Sequence, residues 1–207
     1  MDIVLATKNE GKVREFLRLL AALDLNDLNI LFMNNFPEIG DIEESGDTFE
    51  ANALLKAREV SSKTGLIAIA DDSGLEVDAL NGRPGVYSAR YAGKAAGDRE
   101  NYLKLLEEMK GVPEGSRGAA FVCTIAVCAP TGESITAFGR CKGEIAPAPE
   151  GDGGFGYDPV FYLPDFGCTM ASLPKEEKNN ISHRGKAVKE LKKTLPAFLG
   201  RQALITK

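Results

Sequence analysis

The chain has no tryptophan, one histidine and four cysteines in 207 residues. Cys123, Cys128, Cys141 and Cys168 never fall at Cys-x-x-Cys spacing, which excludes the common zinc and dithiol redox frameworks. Cys123 and Cys128 sit in an apolar run and read as small core hydrophobes of a reducing, cytoplasmic compartment. No apolar run reaches the ~18 residues of a membrane span, and the N-terminal residues lack a signal-peptide pattern. Basic charge is also short: 25 Lys and Arg stand against 30 Asp and Glu, a formal net charge of −5. That balance argues against a nucleic-acid partner or a membrane surface, while leaving room for a local basic pocket. Repeats, low-complexity tracts and a convincing interdomain linker are absent as well.

Apolar residues make up 43% of the chain and charged residues 27%, the balance of a soluble globular protein. The length suits one large domain or two small lobes with a sizeable core. Glycine is plentiful: 22 residues exceed the average of roughly 7%, so several tight turns or close backbone approaches are expected.

Residues 66–74 are the stretch around which the chain is organised. Leu66-Ile67-Ala68-Ile69-Ala70 suits a strand buried on both faces. The run gives way to Asp71-Asp72-Ser73-Gly74, expected at the carboxyl end of the strand, where open α/β sheets bind ligands. Successive strand residues point to opposite faces, so Asp71 and Asp72 are expected to do different jobs, one structural and one facing the ligand.

Upstream, residues 2–6 predict a buried first strand, and Val13, Phe16, Leu17 and Leu20 recur at helical spacing. Between them, Thr7-Lys8-Asn9-Glu10-Gly11-Lys12 opens a helix N-terminus, whose free N–H groups and dipole favour anions. Lys8 and Lys12 add charge suited to a polyphosphate. The loop is not a Walker A motif, because it lacks that motif's first glycine and the Ser/Thr after its lysine. Residues 30–32 predict a second strand. Glu43 and Glu44 then precede a helix that Asp47 and Glu50 would open as a capping box and Gly65 would end. A βαβ arrangement lets both acidic pairs reach one crevice, and carboxylates near phosphate-binding lysines are what Mg²⁺ requires.

Past Gly74, residues 81–85 are a turn cluster, and Arg90 beside Tyr87 and Tyr91 could serve a ligand or pack near the site, the second reading being favoured. Asp98 opens a helix that ends at Gly111 and Pro113. Residues 119–128 and 133–145 form a long hairpin about Pro130-Thr131-Gly132, which makes the sheet mixed. Residues 151–159 gather glycines and two aromatics in a loop whose backbone hugs something flat, a nucleobase or simply its own turn. Residues 160–163 predict another strand. Residues 175–185 are the last polar constellation and carry His183. Ala187, Val188, Leu191 and Leu195 then mark an amphipathic helix that Pro196 should kink or end.

Six segments occur in order. They are Thr7-x-Asn9-x-x-Lys12, Glu43-Glu44-x-Gly46-x-Thr48-Phe49, Asp71-Asp72-Ser73-Gly74-Leu75, Pro84-Gly85-Val86-Tyr87-Ser88-Ala89-Arg90-Tyr91, Gly153-Gly154-Phe155-Gly156-Tyr157-Asp158-Pro159 and Ser182-His183-Arg184-Gly185. Together they resemble the inosine triphosphate pyrophosphatase family, and only the tail after Pro196 lies outside the pattern.

The resemblance implies hydrolysis of ITP, dITP and XTP to the monophosphate and pyrophosphate with Mg²⁺, clearing deaminated purines from the nucleotide pool. It implies an α/β fold: a long mixed β-sheet with flanking helices, forming two lobes around a central nucleotide-binding cleft. Residues 1–207 would be one such domain, usually a homodimer. By the same resemblance Thr7, Lys8, Asn9, Glu10, Gly11 and Lys12 hold phosphates, and Glu43 and Asp72 hold the metal. Asp72 is also the catalytic proton acceptor, and Ser73 touches substrate. Phe155, Gly156, Tyr157, Asp158, Lys178, His183 and Arg184 grip the base and the triphosphate. Whether Glu43 or Glu44 is the nearer metal ligand stays open. A nucleotide sensor without turnover is a second reading, which the intact acidic pairs count against. A pyrophosphatase for pyrimidine or methylated nucleotides is a third, which Ser182-His183-Arg184 counts against.

Overall fold

The computed structural model describes residues 1–21 and 28–205. The Leu20 side chain, expected on the apolar stripe of the first helix, lies outside what is described. The strands are β1 (Asp2–Leu5), β2 (Asn29–Phe32), β3 (Ile67–Val77), β4 (Gly118–Cys128), β5 (Ser134–Ile145), β6 (Phe161–Leu163) and β7 (Cys168–Thr169). The α-helices are α1 (Glu10–Ala21), α2 (Phe49–Thr64), α3 (Asp98–Glu108), α4 (Lys175–Ile181) and α5 (His183–Ile205). All seven strands join one sheet in the order β2-β1-β3-β4-β5-β6-β7. β1 runs parallel to β2 and β3, and β6 antiparallel to β5 and β7, so the sheet is mixed, as expected.

Two compact units divide the chain. The first comprises Met1–Asp72, Cys123–Gly139 and Arg184–Lys207, the second Ser73–Val122 and Arg140–His183. In the first unit the strand period of two sorts side chains by face. Ile3, Leu5, Ile67, Ile69, Ile125 and Val127 cluster with Phe16 of α1 and Val188, Leu191, Leu195 and Phe198 of α5. Val4, Ala6, Ala68, Ala70, Ala126 and Cys128 cluster instead with Ala53, Ala57 and Val60 of α2. Alanines on that face let α2 lie close to the strands. In the second unit Leu75, Val77, Phe121, Cys141, Ile145 and Phe161 pack with Leu105 and Met109. Each large apolar side chain so buried contributes roughly 1.5–3 kcal/mol.

Four local expectations give way to this packing. β3 does not stop at Gly74 but runs on to Val77, because Leu75 and Val77 are buried in the second unit's core. The acidic quartet is therefore mid-strand. The N-cap of α2 is Thr48 rather than Asp47: Thr48 Oγ1 accepts the Ala51 N–H at 3.1 Å. Gly97 caps α3, with Glu100 reaching back to its N–H at 2.9 Å and Asp98 as the first helical residue. α5 continues through Pro196, the lost backbone hydrogen bond being offset by burial of Leu195, Phe198 and Leu199 around it. Gly65 ends α2 as expected, in the left-handed conformation at φ 68°. None of the four cysteines is in a disulfide, Cys123, Cys128 and Cys141 being buried and Cys168 half-buried. Among the described residues no helix is long and apolar enough to cross a membrane.

Candidate active site

The loop after β1 is built to open α1. Thr7 Oγ1 accepts the Asn9 N–H at 3.2 Å, and Asn9 Oδ1 accepts the Lys12 N–H at 3.0 Å, so Asn9 is the N-cap. Lys8 donates to Gly40 O and Asp41 Oδ1, both at 2.8 Å. The Lys8 ammonium holds the exposed Asp41 carboxyl below its usual range. Glu10 is exposed and pairs with Arg14 at 3.3 Å, and Gly11 is half-buried. A cavity of about 220 Å³ lies against this loop, lined by Thr7, Lys8, Glu10, Val13, Arg14 and residues 32–34.

Lys12 turns inward, its Nζ 3.1 Å from Asp71 Oδ2. Arg184 Nη2 reaches the same oxygen at 2.9 Å, while Nη1 binds Glu15. The guanidinium also lies 5.7 Å from the centroid of the Phe16 ring. Burial opposes ionisation of Asp71, but Lys12, Arg184 and Lys56 outweigh it and hold the carboxyl far below its ordinary value. Burial likewise opposes the Arg184 charge, and Asp71 and Glu15 outweigh it. The Cys123 thiol, 4.0 Å from Asp71 Oδ2, is pushed up to about 12 by burial and by that carboxylate. It is an inert core thiol at neutral pH.

Asp72, one residue on, faces α2. Its Oδ2 accepts from Asn52 Nδ2 at 3.1 Å, and its Oδ1 lies 3.5 Å from Lys56 Nζ. The same ammonium binds Glu44 Oε1 at 2.5 Å. One buried lysine thus stands between two carboxylates. Burial disfavours the Lys56 charge, yet Asp72, Asp71 and Glu44 together raise its pKa. Burial raises Asp72, with Lys56 opposing the rise and Glu44 adding to it. Glu43 is exposed and Glu44 half-buried, so of the two it is Glu44 that the structure brings to Asp72. Among the described residues no group of three or more His, Cys, Asp and Glu side chains is placed to hold a metal. Glu44 and Asp72 still offer hard oxygen donors of the kind that suits Mg²⁺, which usually takes one or two carboxylates and completes its shell with water and phosphate.

In the second unit Asp158 is the hub. Its Oδ2 accepts the Phe155 N–H at 2.8 Å and Lys178 Nζ at 2.6 Å. The Lys178 ammonium stands 4.9 Å from the Phe155 ring centroid. A Cβ on Gly154 would overlap the Asp158 carboxylate, so only glycine permits this turn, at φ 76°. The Gly156 N–H donates to Asp98 Oδ2 at 2.6 Å, and the Tyr157 hydroxyl donates to Ser88 O at 2.9 Å. Ser88 Oγ accepts the Leu75 N–H and donates to Gly85 O, so the segment from Pro84 to Tyr91 braces both β3 and Tyr157. Arg90 packs over the Tyr87 ring at 5.2 Å. His183 is buried and stacks on Phe121, centroids 4.8 Å apart, and Ser73 is half-buried in β3. Gly151 and Gly153 do hug something, but it is the chain itself. A Cβ on Gly151 would meet Ser172 Oγ at 2.6 Å, and one on Gly153 would meet Ala171 O at 2.5 Å.

Three residues of these clusters escaped the sequence reading: Asn52 and Lys56 on α2, and Glu15 on α1. A signal for the first two exists. Phe49, Asn52, Ala53, Lys56, Ala57, Val60 and Ser61 are the buried residues of α2, and three of the seven, Asn52 and Lys56 among them, are polar where the helical period demands apolar ones. Glu15 has none, because only the fold shows that it is buried beside Phe16.

A mixed α/β sheet with paired aspartates inside its third strand and a capped basic loop after its first defines a class, and the sequence comparison gives that class its family. The Ham1 family model matches residues 3–194, and the chain belongs to the Ham1 family. It is 53% identical over 202 residues to the dITP/XTP pyrophosphatase of Nitratidesulfovibrio vulgaris, covering 95% of this chain and 96% of that one. To the dITP/XTP pyrophosphatase of Geobacter sulfurreducens it is 52% identical over 190 residues, covering 92% and 94%. The solved Staphylococcus aureus Ham1 protein superposes with a TM-score of 0.85 at 42% identity, covering 95% of this chain and 99% of that one. A HAM1 protein from Coxiella burnetii gives 0.86 at 44%, with 95% and 99% covered. The resemblance carried by the six sequence segments is borne out.

Proposed function

We propose that this Ham1 protein is a pyrophosphohydrolase of non-standard purine nucleoside triphosphates, converting dITP, XTP and ITP to the monophosphate and pyrophosphate. The Asp72 cluster carries the proposal: a buried carboxylate anchored by Asn52 on one oxygen and turned on the other toward Lys56 and Glu44. A carboxylate so fixed is suited to taking a proton from water. The relatives named dITP/XTP pyrophosphatase, matched over nearly their full length, support the choice of substrate.

Cleavage between the α- and β-phosphates asks for positioning and charge neutralisation more than covalent chemistry. The segment Thr7, Lys8, Asn9, Glu10, Gly11 and Lys12 offers the N-terminus of α1 and two ammonium groups to the phosphates. Asp71 and Arg184 would keep Lys12 in place. Lys56, kept charged by its acidic neighbours, would offset charge building on the departing pyrophosphate. Asp72 would accept the proton of the attacking water. Glu44, which shares the Lys56 ammonium with Asp72, would join Asp72 in holding Mg²⁺ in preference to the exposed Glu43. When bound, that cation would neutralise phosphate charge and acidify water.

Phe155, Gly156, Tyr157, Asp158, Lys178 and His183 are proposed for the base and the triphosphate, with Ser73 as a further substrate contact. The Lys178 ammonium over the Phe155 ring supports this, since an aromatic face and a cation suit a purine with keto oxygens. Arg184, expected among them, is buried against Asp71 and Glu15 and is proposed to hold Asp71 instead. The two units are proposed to serve as one catalytic domain, in a cytoplasmic homodimer. Cysteines outside any disulfide agree with a reducing compartment, and the net charge of −5 speaks against nucleic acid or membrane as partners. Purified protein given dITP, XTP, ITP or ATP with Mg²⁺, with both products assayed, tests the activity.

A further inference from the structure

We propose that Asn52 is a positioning residue that ties the Glu44 loop to Asp72, so that the two carboxylates are held in one arrangement by a single amide. The inference rests on the role given to Asp72 above. Asn52 is fully buried at 0% exposure, four residues past the Thr48 cap of α2. Both ends of its side chain are engaged. Oδ1 accepts the Gly46 N–H at 2.7 Å, and Nδ2 donates to Asp72 Oδ2 at 3.1 Å.

The orientation of the amide is set by chemistry. A backbone N–H can only donate, so the oxygen end must face Gly46 and the nitrogen end must face the carboxylate. The donor therefore commits Asp72 Oδ2 and leaves Oδ1 toward Lys56, the side from which Glu44 is also held. Gly46 is part of the device. A Cβ there would come 2.8 Å from Asn52 Oδ1 and 2.8 Å from Ala51 Cβ, so the loop approaches this closely only with glycine. Glu44 lies two residues before Gly46, so the amide restrains both ends of the Glu44–Lys56–Asp72 chain.

Asn52→Asp separates the two links. It keeps an acceptor for the Gly46 N–H and removes the donor to Asp72. The test measures kcat and KM for dITP, and thermal melting, in wild type, Asn52→Asp, Asp72→Asn and the double variant. The expected result for Asn52→Asp is a kcat lower by about 10- to 100-fold, with little change in KM, and a lowered melting temperature, because the new carboxyl is buried beside that of Asp72. On the Asp72→Asn background the same substitution should cost nothing further, because the hydrogen bond it removes no longer serves a carboxylate. A crystal structure of Asn52→Asp should show the Asp72 carboxylate turned from its wild-type position while the Gly46 link persists. Gly46→Ala, which displaces the amide without altering it, should lower kcat in the same way and serves if Asn52→Asp does not fold. Wild-type kcat in Asn52→Asp alongside an inactive Asp72→Asn would overturn the inference, as would losses that simply multiply in the double variant. Wild-type turnover in Asp72→Asn would overturn the reading of Asp72 itself, and this inference with it.

Discussion

Asp71 and Asp72 are neighbours in β3 whose carboxylates face opposite sides of the sheet, Asp71 meeting Lys12 and Arg184, Asp72 meeting Asn52 and Lys56. Their surroundings pull them apart chemically: Asp71 is held ionised by cations, while burial raises Asp72. A depressed carboxyl stabilises the fold above its unfolded value of about 4 and loses that contribution as pH falls through the folded value. A raised one does the opposite, its contribution being lost as pH rises from the unfolded value through the folded one.

Melting of the metal-free protein should therefore separate the two. At pH 7, Asp71→Asn should lower stability by about 3 kcal/mol or more, since it leaves Arg184 and Lys12 short of a buried partner. Asp72→Asn should keep or raise the melting temperature at pH 7, with any gain shrinking as pH approaches ~4. Equal losses from both substitutions would contradict the division of roles.

The acidic pair ahead of α2 gives a second contrast. Glu44→Gln should raise the Mg²⁺ concentration needed for half-maximal rate by about 10-fold or more, a common cost of weakening an ordered cation site. Glu43→Gln, at an exposed position, should leave the Mg²⁺ titration where it is. A shift in the Glu43 variant alone would return the metal role to that residue.

Much of this was legible in the sequence, and the limits have physical causes. The βαβ opening, the mixed sheet, the basic loop and the Asp-Asp pair follow from periodicity and turn chemistry. The end of β3 did not, because Asp, Ser and Gly read as a turn, whereas burial of Leu75 and Val77 keeps the strand going. Pro196 likewise reads as a kink or a stop, and packing on both sides carries α5 through it without ending it. Asn52 and Lys56 were hidden because a polar residue on a buried helix stripe shows its meaning only once its partner on the facing strand is known. Glu43 and Glu44 are adjacent and identical in type, so only the fold tells them apart.

In the second unit, Asp158→Asn should loosen the Phe155 turn and release the Lys178 ammonium, which it now receives at 2.6 Å. The expected outcome is a rise in KM for dITP of about 10-fold or more, exceeding any change in kcat, the pattern of lost ground-state binding. A fall in kcat with KM unchanged would place Asp158 in the chemistry instead.

The central claim is tested most directly by the products. Wild-type protein with dITP and Mg²⁺ should release pyrophosphate and deoxyinosine monophosphate in equal amounts with no orthophosphate, and act far more slowly on ATP. Asp72→Asn, still folded by circular dichroism, should lose about 10²-fold or more of that turnover. Orthophosphate as the product, equal rates on ATP and dITP, or an undiminished Asp72→Asn would contradict the account.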